Sequence, residues 1–345
     1  MTLSLIPDPV RRIGGRVRAE MVRTEIVAEL RRIARTGRPI LAGPWLGEVG
    51  FEVLYWVPFL RWVVAEFAID PTRVIAISRG GPQSWYTGCA GRYVDVFEFL
   101  SVDAYRAGNE QRRREVGEQK QVRDSAFDRE ITGRVRDTAD LANAEHLHPA
   151  LMYRLMQPFW WKHASHSWVA KHTVPALLSR PALPAELGVA PGRYVAVKLY
   201  WNDCLVEDER TRHYARQTLA ALATHLPVVS LDTGLSLDDH AAADGATDAK
   251  HTVASLLTAA TNLSVQTAVL ANAAAFVGTY GGFSYLAPLH GVPTVSVYSR
   301  SFGFDRSHLV VAEHAFARVG AAAFDLCDIG STPPESIALR VAQLQ

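Results

Sequence analysis

The chain has 345 residues, of which 48% are hydrophobic and 21% charged, with 24 Gly and 18 Pro. That composition suits a folded globular protein with room for two domains and excludes a low-complexity chain. Thirty-six basic residues against 35 acidic leave a net charge of +1, which excludes a global basic field for nucleic acid.

Cys89, Cys204 and Cys327 lie far apart and form no CxxC pair. An odd, scattered set fits a reducing, cytoplasmic setting better than a disulfide scaffold. The opening MTLSLIPDPVRR lacks a basic region followed by a long apolar run, so no signal peptide is expected. Residues 10–36 predict a helix, with Ile13, Val17, Met21, Ile26, Leu30 and Ile33 at helical spacing. Up to Arg38 the chain carries nine Arg against Asp8, Glu20, Glu25 and Glu29. Such a helix is either a solvated face or a weak, peripheral contact to an anionic membrane.

Pro39–Ala42 reads as a first buried strand, followed by the loop Gly43–Gly50. Phe51–Phe67 reads as a buried helix that Pro58 should kink. Arg73–Ser78 is a second strand, ended by Gly80-Gly81-Pro82, and Val94–Leu100 a third. Residues 103–140 hold nine basic and nine acidic residues, which predicts a solvated helical excursion. A segment rich in His and aromatic residues, 146–168, precedes a linker marked by Pro175, Pro181, Pro184 and Pro191.

The pattern then restarts. Tyr194–Lys198, Pro227–Leu231, Ala275–Gly278 and Thr294–Tyr298 read as strands. Tyr214–Thr224, Val253–Ala259, Ser264–Asn272 and Ser284–His290 read as helices. Residues 251–299 hold no Asp, Glu, Lys or Arg, but Asn262, Gln266, Asn272 and Gly281-Gly282 exclude a membrane span. Strands alternating with helices imply an α/β fold of parallel, doubly wound sheets. Two such halves imply two Rossmann-like domains facing a cleft: 1–180, with a helical insertion at about 101–175, and 190–345. Ligands in such sheets bind beyond the carboxyl ends of the strands, so chemistry belongs in those loops.

The turn Val277–Ser284 follows a strand and opens a helix. Gly281 and Gly282 let backbone approach a ligand, and the helix N-terminus favours phosphate. Thr279, Tyr280, Ser284 and Tyr285 add hydroxyls; a tight turn without a ligand is the alternative. Asn262 and Ser264 open another helix at the same cleft, as caps or as ligand donors. Lys198, at a strand end, suits a diphosphate, with Arg210 and Arg212 weaker candidates. Asp232 and Thr233 end another strand and could meet a ribose or base. In the first half, Glu48 and Glu52 sit among Leu46, Val49, Phe51 and Val53. A carboxylate held there can have a raised pKa and act as a general base, or simply start a helix. His146, His148, His163, His166 and His172 show no convincing metal-ligand spacing, so no metal and no cofactor is expected.

Two stretches together resemble one family. Asn262–Leu270, Ala275–Gly282, Leu286-Ala287 and Gly291–Val295 look like the donor-binding segment of lipopolysaccharide heptosyltransferases, which are GT-B glycosyltransferases. Leu46–Leu54, with Pro58 and Leu60, resembles that family's glycine loop and the helix after it. The resemblance places Glu52 at the family's catalytic aspartate and Gly282 at its glycine, while Tyr280, Gly281 and Tyr285 replace its Asp, Ser and His. It implies a GT-B fold and an inverting, metal-independent transferase in polysaccharide biosynthesis. The second domain would bind a nucleotide-diphosphate sugar, and the first a glycan or small-molecule acceptor. A nucleotide-sugar epimerase and a non-catalytic nucleotide-sugar-binding protein are the alternatives.

Overall fold

The computed structural model describes residues 8–118, 120–138, 141–235, 241–242, 251–300, 303 and 305–343. Residues 1–7, part of the stretch expected to carry no signal peptide, and the side chain of Ile13 lie outside them. The strands are β1 (Ile40–Ala42), β2 (Val74–Ser78), β3 (Arg92–Asp95), β4 (Glu145–Leu147), β5 (Val195–Lys198), β6 (Tyr200–Trp201), β7 (Val228–Ser230), β8 (Ala241–Ala242), β9 (His251–Thr252), β10 (Ala275–Thr279), β11 (Thr294–Tyr298) and β12 (Phe324–Asp328). They build two parallel sheets, in the orders β3-β2-β1-β4 and β12-β11-β10-β5-β7-β9, with β6 and β8 as a small antiparallel pair. The α/β fold with two doubly wound sheets is therefore as expected.

The side-chain period of two in a strand sorts the core. Ile40, Ala42, Val74 and Ala76 join Ile26, Leu30, Ile33, Trp56 and Leu60 on one face of the first sheet. Leu41, Ile75 and Ile77 meet Tyr105, Phe127, Ile131 and Val135 on the other. Those last four belong to the helices Val102–Val116 and Ala126–Thr138. The charged segment is thus the second layer of the first domain as well as a solvated surface. Its balanced charges mark only the outer sides of two amphipathic helices. In the second sheet, Val195, Val197, Ala275, Val277, Val295 and Val297 pack on the helices Glu209–Ala223 and Pro334–Gln343. The opposite face, with Ala196, Val229 and Phe276, belongs to the same continuous cluster as Trp45 and Trp56 of the first half.

Several local expectations change. The third strand is Arg92–Asp95, because the Asp95 carboxylate accepts the Phe97 amide and caps a tight turn over Val96–Glu98. Val253–Ala259 forms only short 3₁₀ turns, at Ala254–Leu256 and Ala259–Thr261. β4, β12 and the helix Arg306–Val319 lie in stretches not assigned from sequence. That helix returns to the first half, where Arg318 bonds the carbonyls of Ala170 and Thr173. Pro58 is accommodated rather than left as a break. The turn Glu52–Trp56 is π-helical and Val57 N–H reaches back to Glu52 O, so Pro58 enters the first turn of the α-helical segment Val57–Glu66. Proline has no N–H to lose there. In the helix Asp8–Arg35 the apolar stripe divides: Ile26, Leu30 and Ile33 are buried, whereas Val17 and Met21 are exposed.

His290 follows the helix Gly282–Leu289, and burial pushes its pKa down to about 4. His308 is lowered to about 4 by burial and then by Lys120. An unfolded chain takes protons on these rings near pH 6.5, before the folded one does. Their stabilising effect is complete above pH 6.5 and is lost as pH falls toward 4, by about 1.4 kcal/mol per unit for each ring. Urea unfolding at pH 7 and pH 5 should show this loss, and His290→Gln should remove about half of the slope that the two rings supply.

Candidate functional site

Both sheets turn their carboxyl ends toward one cavity of about 270 Å³. In the second sheet the strand order reverses between β5 and its neighbour β10, because the chain passes from β5 to β7 and β9 on one side before crossing to β10 on the other. A reversal of this kind opens a crevice beyond the strand ends. Lys198 ends β5 and Gly281-Gly282 follow β10, and all three line the cavity. In the first sheet the order reverses between β1 and β4, and the loop after β1 supplies Glu48, Val49, Gly50 and Phe51 to the opposite wall.

Two helix starts meet there on bare backbone. A Cβ on Gly282 would come within 3.0 Å of both Gly50 N and Val49 Cβ, and one on Gly50 within 3.3 Å of Gly282 Cα. Gly281 has φ 146°, and a Cβ on it would overlap the Tyr200 hydroxyl. The first amides of a helix have no partner inside it, and they carry partial positive charge. Here two such ends open on the same cavity. Lys198 stands beside them, with Nζ 2.6 Å from Gln266 Oε1, 3.2 Å from Leu231 O and 4.7 Å above the Phe283 ring centre.

Other expected donors are spent on structure. Thr279 Oγ1 donates to Tyr200 O and accepts Tyr200 N–H, both at 2.9 Å. Ser284 Oγ donates to Thr279 O at 3.0 Å and accepts from Ser296 Oγ at 2.8 Å. Both side chains are buried, and neither residue lines the cavity. The hydroxyls proposed for phosphate therefore brace the turn from behind. Tyr285 OH donates to Tyr280 OH at 2.7 Å, and both rings line the wall. Burial raises both phenols, Tyr280 to about 12. The helix Asn262–Ala271 does not offer a free N-terminus: its Leu263 and Ser264 amides bond Gly80 O at 2.7 and 2.9 Å. Ser264 Oγ turns back to Thr261 O. Asn262 does line the cavity, its Oδ1 accepting from Gln266 Nε2 at 2.6 Å. Asp232 and Thr233 line it too, joined by Thr233 N–H to Asp232 Oδ1 at 2.8 Å. Arg210 and Arg212 do not line it, and Arg212 pairs with Glu207.

The two glutamates part company. Glu52 is fully buried, and its Oε1 accepts Ser78 Oγ–H at 2.7 Å and Tyr86 O–H at 2.5 Å. It is not part of the cavity wall, so the expected base points into the first domain. Glu48 lines the cavity and is exposed, so the apolar cage expected around it does not form.

Sequence reasoning missed the far wall. Tyr55 OH and His308 Nδ1 share a hydrogen bond of 2.6 Å across the two halves. Burial pushes the Tyr55 phenol up and the His308 ring down, so the bond joins two uncharged partners near neutral pH. Phe51 and Trp160 pack against Tyr55, and Tyr153 against both of them. Asp305 also lines the cavity and accepts the Ser307 amide at 2.9 Å; burial raises its pKa, but the hydrogen bonds from Ser307 outweigh that and hold it low. No signal in the sequence joined residue 55 to residue 308, because that contact exists only once the last long helix has returned.

Asp124, Asp128 and His148 have metal-like spacing among the described residues. His148 Nδ1 accepts the Ala150 amide at 3.0 Å, which leaves the proton on Nε2, 3.5 Å from Asp128 Oδ2. A ring nitrogen that carries its proton cannot ligate. The Asp128 oxygens take Gln121 Nε2 and Ser125 N and Oγ. Burial raises the Asp128 pKa, but His148 and Ser125 outweigh it and hold it low. The cluster is a hydrogen-bond network that pins Gln121, which in turn holds Leu46 N and Pro44 O at 2.8 Å each.

No family model matches the sequence, and no curated protein does. Solved structures give a distant likeness. Escherichia coli heptosyltransferase WaaC with ADP is 14% identical over 89% of this chain and 100% of its own, with a TM-score of 0.41. E. coli ADP-heptose LPS heptosyltransferase II is 11% identical over 89% and 98%, with a TM-score of 0.46. A glycosyl transferase family 9 protein from Veillonella parvula is 12% identical over 76% and 81%, with a TM-score of 0.42. At identities and scores this low they carry no inference about substrate.

Gly281→Ala should force Tyr200 out of the wall and strain the backbone by about 1–3 kcal/mol, which thermal unfolding should show as a lowered melting temperature.

Proposed function

We propose that the protein is a glycosyltransferase of GT-B type that takes its sugar from a nucleoside-diphosphate donor. One observation carries this reading: a lysine and two facing helix N-termini converge on a cavity that a carboxylate reaches from the other domain. The diphosphate binds at Gly281, Gly282 and the Phe283 amide, with Lys198 as its cation. Asp232, Thr233 and Asn262 border the nucleoside.

The acceptor enters between Glu48, Phe51 and Tyr55. Its hydroxyl oxygen attacks the anomeric carbon as Glu48 removes the proton. The bond from that carbon to the diphosphate oxygen breaks, and the nucleoside diphosphate leaves with the electron pair. Attack opposite the leaving group inverts the anomeric centre. Amides and Lys198 meet the charge as it grows on the departing oxygen, which lowers the barrier more than it favours bound donor. The acceptor is a glycan or another hydroxylated molecule. Buried Glu52 holds the first turn of the catalytic helix through Ser78 and Tyr86 and takes no proton from substrate.

The test is a panel of nucleotide sugars with hydroxylated acceptors, read as release of nucleoside diphosphate and as new glycoside. Glu48→Gln should cut turnover by about 100-fold or more at unchanged donor affinity. Lys198→Met should weaken nucleoside diphosphate binding by about 10- to 100-fold. Full turnover by Glu48→Gln would remove the base, and donor sugar isomerised without nucleotide release would make the protein an epimerase.

A further inference from the structure

The long first helix has two apolar faces. Its C-terminal half buries Ile26, Leu30 and Ile33 against the first sheet. At about 100° per residue, Val17 lies about half a turn away from Ile26, on the side that faces out. Val17 and Met21 are 57% and 61% exposed. Trp161, just beyond the helix Pro149–Trp160, is 50% exposed, and the Arg18 guanidinium lies 5.8 Å above its ring. Of the six large apolar side chains exposed among the described residues, three therefore belong to one end of this helix. Stretches of this kind, rimmed by polar groups, mark interaction surfaces.

Charge selects the partner. From Arg11 to Arg23 the sequence has five Arg and only Glu20 as an acid. Glu20 is paired with Arg23, and nearby Glu25 with Arg154. Lys162 follows Trp161 and is exposed. A second copy of this chain would set arginines against arginines. An anionic bilayer accepts all three features: the cations, the short apolar stripe and a tryptophan, whose ring favours the headgroup level. We propose that this helix face and Trp161 dock the protein on an anionic membrane surface. No helix among the described residues is long and apolar enough to cross one, so the contact is peripheral.

The surface also has a place in the site. Trp160 packs against Phe51 and Tyr55 at ring distances of 5.9 and 5.6 Å, at the aromatic end of the cavity. The next residue, Trp161, belongs to the docking surface. One step of the chain thus joins the aromatic cluster beside the cavity to the docking surface. The docking itself stands independently of the transfer reaction.

The experiment is co-sedimentation of the full chain with vesicles of phosphatidylcholine alone or mixed with phosphatidylglycerol. Partitioning should be about tenfold stronger on the anionic vesicles and weaken with salt. Met21→Glu and Trp161→Ser should each lower it several-fold with unchanged thermal melting, while Leu339→Glu, exposed on the last helix, should not. Equal partitioning on both vesicles, or no effect of Met21→Glu and Trp161→Ser, overturns the proposal. A concentration-dependent dimer abolished by Met21→Glu overturns it in favour of a second copy.

Discussion

Everything at the cleft depends on Gly50 and Gly282 touching without side chains. Each follows the carboxyl end of a parallel strand and lies in the first turn of a helix. Two helix starts that met through side chains would stand further apart. Here Gly282 has Gly50 N and Val49 as its neighbours, so the two helix starts border one small cavity. Parallel sheets produce such ends as a matter of course. Glycine at both is what lets them meet on bare backbone.

The rest of the interface serves that approach. Gly80 O takes the Leu263 and Ser264 amides, Trp85 Nε1–H donates to Thr267 Oγ1 at 3.1 Å, and Tyr55 meets His308. The first of these also distinguishes the two helix starts of the second half. The helix from Asn262 has given its amides to protein, whereas the helix from Gly282 follows a turn braced from behind by Thr279, Ser284 and Ser296. Gly80 and Gly81 both adopt φ 78°, and Asp95 fixes Gly81 N–H at 2.6 Å. A buried carboxylate of the first domain thereby positions the carbonyl that ties down the second.

Much of this was legible in the sequence. Apolar runs located six of the strands to within a few residues, and the placement of Lys198, Asp232 and the glycines at strand ends followed from topology alone. Hydroxyl orientation did not. Thr279 and Ser284 look like ligand donors in a glycine turn, yet the same hydroxyls are what a tight turn needs to satisfy its own backbone. The paired charges of 103–140 hid Tyr105, Phe127, Ile131 and Val135 because four buried residues spread over two helices barely alter composition. The helix Asp8–Arg35 misled differently. Steps of four residues drift around a helix of 3.6 residues per turn, so one apparent stripe ends on opposite sides.

Glu48 and Glu52 show why pattern stops short of mechanism. They stand one turn apart at the start of the same helical run, in equally apolar sequence, and either could have been the base. Their surroundings in space separate them. Glu52 points at Ser78 and Tyr86, two donors whose own backbones sit at the end of β2 and in the turn after it, so its Oε1 is held by hydroxyls of the half that carries it. A carboxylate satisfied twice by its own scaffold has little to gain from a substrate proton. Glu48, at the residue before the helix, has no capping hydrogen bond from its side chain and opens on the cavity opposite Lys198 and Gly282. The burial that tunes a carboxylate in a finished active site must then come from the substrates. In the transfer proposed above, donor and acceptor together would fill the cavity, exclude water from Glu48 and set it against the leaving group at the opposite helix start.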